Sequence, residues 1–292
     1  MSIPSESTRS REVTPSLLRD WALPAATDSK YSRGRVLVIG GAARTPGAAQ
    51  LTGLAALRVG AGHLTLAVAR SAAVALAVAT PESGVTGLPE NEGGSVLGED
   101  LRAIESDLGK ADVVVVGPGL DDVEQAEILI ENLMPLLNPE AWLVLDAYAL
   151  PGLAELDPER RPDRLALTPN PSEASALLGR DLGDDVDADV AELAERYSAV
   201  VSCQGVIAGT DGRTWRVSAG HGGLATSGSG DVLAGALAGI LARGADGDQA
   251  ACWATHVHAA AGDRLAAGVG SLGFLARELL DQLPRVMVEL GA

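Results

Sequence analysis

The chain has 292 residues, 47% of them hydrophobic and 3% aromatic, and a formal net charge of −17. That length can bury a full core, whereas so acidic and aromatic-poor a composition disfavours nucleic acid and anionic membranes as partners. Two cysteines, Cys203 and Cys252, are too few for a disulfide framework, and no Cys/His cluster has zinc spacing.

Residues 1–33 are polar and read as an arm leading into a single domain over 34–286, with a short amphipathic piece at 16–21. The N-terminus lacks an apolar signal-peptide core, and no apolar run suits a membrane span, so a cytoplasmic protein is expected. Arg35–Ile39 is a short apolar run ending in Gly40-Gly41, the pattern of a buried parallel strand. A small-residue helix over 47–59 and a strand over 63–68 follow. Val113–Val116 leads into Gly117-Pro118-Gly119 and a helix over 123–137. Trp142–Leu145 ends in Asp146, and Leu165–Leu167 ends in Thr168-Pro169-Asn170. A helix over 188–197 precedes a strand at 199–202, and a hairpin pairs Val206–Ala208 with 214–217 around Asp211-Gly212. Helices over 231–243, 248–267 and 272–282 complete the chain. This alternation predicts an α/β fold with a mostly parallel sheet and helices on both faces, whose ligands bind at the carboxyl ends of the strands. The acidic stretch 181–189 reads as a solvated loop and not as a metal site.

The densest signal is Gly222-Gly223-Leu224-Ala225-Thr226-Ser227-Gly228-Ser229-Gly230-Asp231, followed by an apolar helical run. Glycines at 228 and 230 let backbone N–H groups converge on one point, and the helix start adds unpaired donors and a positive dipole end. Together they form an anion pocket suited to phosphate. A carboxylate at Asp231 is unfavourable there unless it does chemistry or meets a metal. The chain has neither Gly-x-x-x-x-Gly-Lys-Ser/Thr nor Gly-x-Gly-x-x-Gly after the first strand, which disfavours P-loop NTPases and ordinary Rossmann dehydrogenases. His256 and His258 lie two apart on a helix and face different ways, so they are not read as a metal pair; His63 reads as structural, and His221 adjoins the phosphate loop.

Several segments occur in order: residues 34–41 (GRVLVIGG), 46–49 (PGAA), 55–62 (AALRVGAG), 117–120 (GPGL), 167–173 (LTPNPSE) and the 222–235 loop and helix start. As a set they resemble the ADP-dependent NAD(P)H-hydrate dehydratases of the ribokinase-like superfamily. The resemblance implies a three-layer sandwich that restores NADH or NADPH from the S epimer of its hydrate at the expense of a nucleotide. It implies Asp231 as general base, and Ala48, Gly119, Asn170 and Asp231 as contacts of the hydrate. It places the adenine nucleotide, ADP or ATP, on Gln204, Gly205, Val206, Ile207, Ala208, Gly228, Ser229 and Gly230, with Mg²⁺ accompanying its phosphates and no dedicated protein metal ligands. A homotetramer is also implied. Three positions depart from the family pattern: Asn170 stands for a histidine, Tyr148 for a carboxylate, and Gln204 for a lysine in the nucleotide site. The only lysines are Lys30 and Lys110. Two other readings stay open: a small-molecule kinase of the same superfamily, and a nucleotide-binding protein with little or no turnover.

Overall fold

The computed structural model describes residues 10–25, 32–220 and 222–292. One sheet runs in the order β1 (Arg11–Glu12), β10 (Thr214–Arg216), β9 (Val206–Ala208), β8 (Val200–Cys203), β7 (Leu165–Leu167), β6 (Trp142–Leu145), β5 (Val113–Val116), β2 (Arg35–Ile39), β3 (His63–Ala69), β4 (Ser83–Leu88). Every neighbouring pair is parallel except β8–β9 and β9–β10. Strand residues alternate between two cores. Val36 and Val38 of β2 join one core while Leu37 and Ile39 join the other, and the four valines of β5 divide in the same way.

Helices α1 (Pro15–Asp20), α2 (Pro46–Arg58), α3 (Arg70–Ala79), α9 (Ser229–Ala242), α10 (Gly247–Gly268) and α11 (Ala276–Leu290) contribute to the first core. The second is covered by α4 (Glu105–Leu108), α5 (Val123–Leu133), α6 (Ala149–Glu155), α7 (Pro171–Leu178) and α8 (Val186–Tyr197). The layers are therefore helix, sheet, helix, as expected. Strands β2 to β4 wind outward with α2 and α3 on one face, and β5 to β8 wind the other way with their connections on the opposite face. The order reverses between β2 and β5, where the strand ends diverge and leave a crevice.

The expected elements are present with shifted ends, and others are added. Helix α3 (RSAAVALAVA) has no polar period to mark it, and β4 (SGVTGL) carries two glycines that lower its strand propensity. Helix α11 runs through Pro284, where the sequence suggests an end, because Leu279, Leu280, Leu283, Val286, Met287 and Leu290 form one buried stripe across it. Residues 181–189 are not a solvated loop throughout. Asp185 caps α8, Asp187 pairs with Arg216, and buried Asp189 accepts from the Gly183 N–H and pairs with Arg180 at 2.7 Å.

The described part of the arm, residues 10–25, is more than a lead into the domain. It adds β1 to the sheet edge, and Trp21 stacks on Trp215 with ring centroids 6.0 Å apart. The Trp21 carbonyl accepts hydrogen bonds from Trp253 Nε1 and Gln249 Nε2. Residues 1–9 and 26–31, Lys30 among them, lie outside the described residues. The small residues of α2 are spent within the chain: Ala49, Thr52, Gly53, Ala55 and Ala56 are buried, and α2 lies directly on α9. A Cβ at Gly235 or Gly239 would strike the backbone carbonyls of Thr52 and Ala56. Close approach at these glycines holds the N-terminal ends of α2 and α9 side by side at the crevice.

Candidate functional site

The crevice is built from strand ends. After β2 the chain turns at Gly40-Gly41, and after β5 at Gly117-Pro118-Gly119; Gly41 N–H donates to Pro118 O and Ala42 N–H to Gly119 O, both at 2.8 Å. Thr45 Oγ1 donates to Gly119 O at 2.7 Å, which ties the start of α2 to the same turn. Ala48 lies against Gly119, since a Cβ added there would reach Ala48 Cβ at 3.0 Å. Gly228, left-handed at φ 89°, is the N-cap of α9 and packs near Leu51, one turn along α2 from Ala48. Its cap position carries no side chain, so no side-chain oxygen caps the first turn, although the Ser229 N–H donates to the Thr226 carbonyl at 3.2 Å. Asp231 sits in that first turn, partly buried.

A cavity of about 570 Å³ opens on the other side of the α9 terminus, lined in part by Asn170, Gln204, Gly205, Gly222, Ser229 and Gly230. Its apolar wall comes from Leu224, Leu233 and Ala259. Gln204 (φ 50°) and Gly205 (φ 78°) are both left-handed and form the two-residue turn of the β8–β9 hairpin, which presents Gln204 to solvent at the rim. Four sequence-derived nucleotide residues thus line one cavity, Gln204, Gly205, Ser229 and Gly230, and Gly228 adjoins them as the N-cap of α9. Val206, Ile207 and Ala208 do not join them. They are strand β9, fully buried with side chains in the two cores, because the tight turn sends the chain straight back into the sheet.

Asp146, at the end of β6, is a buried carboxyl that accepts a hydrogen bond from Thr168 Oγ1 at 2.8 Å. Burial pushes its pKa up to about 7; the charges of Asp231 and Glu173 add to the rise and the Thr168 bond opposes it. Asp231 is raised to about 6 by burial. Glu173 is also raised by burial, and it closes a capping box at α7, accepting from Asn170 N–H at 2.8 Å while Asn170 Oδ1 accepts from Glu173 N–H. Asn170 therefore caps a helix as well as facing the cavity. Since Asp146 is neutral longer in the folded than in the unfolded chain, the folded state binds more protons between about pH 4 and 7, and stability falls as pH rises through that window. Asp146→Asn is expected to raise Tm at pH 8 and leave it nearly unchanged at pH 4, as calorimetry at the two pH values would show.

Two contributors were not legible in the sequence. His258 on α10 is buried, and its Nε2 lies 2.9 Å from Ser229 Oγ at the first residue of α9; burial lowers its pKa to about 4 and keeps it neutral. Ser202 and Thr255 share a hydrogen bond of 2.8 Å in the cavity wall. Both pairs join residues remote in sequence, and no local motif marks them. His256 is also buried, and its Nδ1 has no hydrogen-bond partner among the described residues. His221 lies outside the described residues.

A family model described as NAD(P)H-hydrate dehydratase matches residues 36–285. The chain is 43% identical to the ADP-dependent (S)-NAD(P)H-hydrate dehydratase of Xanthomonas campestris, over 97% of this chain and 98% of that one. It is 37% identical to the bifunctional NAD(P)H-hydrate repair enzyme of Moorella thermoacetica over 91% of its length, but spans only 51% of that protein. Among solved structures, a ribokinase-like superfamily protein from Enterococcus faecalis superposes with a TM-score of 0.84 at 21% identity, over 99% of both chains. The ADP/ATP-dependent NAD(P)H-hydrate dehydratase of Bacillus subtilis, co-crystallized with ATP and Mg²⁺, superposes with a TM-score of 0.82 at 26% identity, over 97% of this chain and 100% of that one.

Proposed function

The chain belongs to the NAD(P)H-hydrate dehydratase family, and on that premise we propose that it repairs nicotinamide nucleotides by ADP-dependent dehydration of the S epimer of NADH or NADPH hydrate. The observation that carries this reading is Asp231, set in the first turn of α9 between a nucleotide-sized cavity and the Ala48–Gly119–Asp146 end of the crevice. Hydroxide is a poor leaving group. Moving the terminal phosphoryl group of the nucleotide onto the hydrate hydroxyl makes phosphate the leaving group, and its expulsion, with loss of a proton from the neighbouring ring carbon to solvent, restores the ring double bond. Asp231 takes the hydroxyl proton. The N–H groups at Gly228 and Gly230 stabilise charge on the transferring phosphoryl group, with Ser229 between them held in place by His258 and by its own N–H bond to Thr226.

Among the described residues no group of three or more His, Cys, Asp or Glu could hold a metal ion alone. Mg²⁺ that arrives with the nucleotide would be held by the phosphate oxygens and water, with no dedicated protein ligands. The ion would neutralise phosphate charge during transfer. Among the described residues no helix is long and apolar enough to cross a membrane. The exposed valines of α3, Val74 at 77% and Val78 at 79%, support self-association, for which a homotetramer is the expected state.

The decisive assay follows reduced-nicotinamide absorbance from purified hydrate. Its return with ADP or ATP, and only then, supports the proposal; no return with either nucleotide in folded protein overturns it. Gln204 sets the affinity. It bonds to phosphate without the Coulombic attraction of a lysine. Gln204→Lys is expected to tighten ADP binding about tenfold at low salt, with the gain shrinking as salt is raised. Calorimetric titration at two ionic strengths checks it, and an unchanged affinity would remove position 204 from phosphate contact.

A further inference from the structure

A second cavity, of about 380 Å³, opens beside the first, next to Glu173 and the Asp146–Ala147 corner. Its walls come from α5, α6 and α7, with Val123, Leu150, Pro151 and Leu177 supplying an apolar floor. Tyr148 stands in it, 44% exposed, on the turn that leaves β6. The polar lining is of one sign: Glu127, Glu155 and Glu173 face it, and among the described residues no lysine or arginine does.

The hydrate is a dinucleotide. With its damaged ring at Asp231 and the phosphate donor in the larger cavity, its adenosine end needs a separate seat. An apolar slot with an exposed aromatic ring accepts an adenine by stacking. Carboxylates at its rim accept the ribose 2′- and 3′-hydroxyls, whereas a 2′-phosphate calls for an arginine or lysine. Here that phosphate would meet three carboxylates and no cation. We propose that the Tyr148 cavity binds the adenosine end of the hydrate and that its glutamate rim makes the enzyme prefer NADH hydrate over NADPH hydrate. This rests on the dehydratase reading above.

The test measures kcat and KM, at saturating ADP, for NADH hydrate, NADPH hydrate and the hydrate of reduced nicotinamide mononucleotide, which lacks the adenosine half. Wild type is expected to favour NADH hydrate over NADPH hydrate about fivefold or more in kcat/KM, the size of a like-charge effect at a partly exposed rim. Tyr148→Ala, at an exposed position, should raise KM for both dinucleotides about tenfold and leave kcat and the mononucleotide KM unchanged. Glu155→Arg should narrow or reverse the preference. Equal kcat/KM for the two dinucleotides in wild type would overturn the proposal and leave the dehydratase reading intact. A Tyr148→Ala variant whose KM shifts equally for the mononucleotide, or not at all, would do the same. Absence of turnover with all three hydrates in folded wild type would overturn both.

Discussion

Asp231→Asn is expected to lower hydrate turnover about a thousandfold or more, the range for losing a positioned general base, with ADP affinity nearly unchanged. Asparagine fills the same space in the first turn of α9 but cannot take the hydroxyl proton. The expected pH profile is specific. Burial raises Asp231 to about 6, so the base form is lost below that pH and the acid limb of kcat/KM should fall near it. Asp146 ionises later, at about 7, because it is more deeply buried and feels the Asp231 charge. On the proposed reading Asp231 is the base, and Asp146 is the neighbouring carboxyl that gives up its proton at the higher pH. One Asp146 oxygen already accepts from Thr168, which leaves the other to carry its proton. Single-turnover rates between pH 5 and 8, alongside ADP titrations of the variant, check this. Turnover equal to wild type would take Asp231 out of the chemistry.

What the sequence made legible and what it concealed divide along a physical line. Strands β2, β5, β6 and β7 are short apolar runs that end in Gly, Asp or Thr-Pro, so their period and their stops are both local. The N-terminus of α9 is equally local, since glycine density and one carboxylate mark it. Helix α3 and strand β4 were missed because uniform small apolar residues and paired glycines carry no period. The hairpin turn at Gln204-Gly205 has a local signal, an X-Gly pair between apolar runs, and it explains why residues 206–208 belong to the core and not to the cavity. The bonds from His258 to Ser229 and from Thr168 to Asp146 join residues 29 and 22 positions apart, and only the folded sheet brings them together. The arm was concealed for a related reason. Its two-residue strand is too short to show alternation, and what fixes it is contact with Trp215, Gln249 and Trp253 far along the chain.

Gly117→Ala is expected to cost about 3 kcal/mol of stability or more, and to lower activity in the molecules that still fold. Two separate effects act at this residue. Its φ of 123° lies in a region that L side chains rarely adopt. A Cβ there would also run into the carbonyl oxygen of Asp146, a backbone atom that cannot rotate away. That carbonyl is fixed in turn, because Asp146 N–H donates to Val116 O at 3.1 Å and Ala147 beyond it is left-handed at φ 50°. Strands β5 and β6 therefore leave the sheet through one shared corner, and the methyl group must push β6 away from β5 or distort the Gly117–Gly119 turn. Either movement displaces Gly119 from Ala48 and Asp146 from Asp231, so stability and turnover should fall together. Gly244→Ala is the control. Its φ of 89° is also positive, but nothing lies within 4 Å of an added Cβ, so only the backbone effect remains, about 1 kcal/mol. Denaturant unfolding of both variants separates the two effects: similar losses would mean that the corner yields to the methyl group, and a larger loss at Gly117 with a parallel drop in kcat would place the rigidity of the site in that corner.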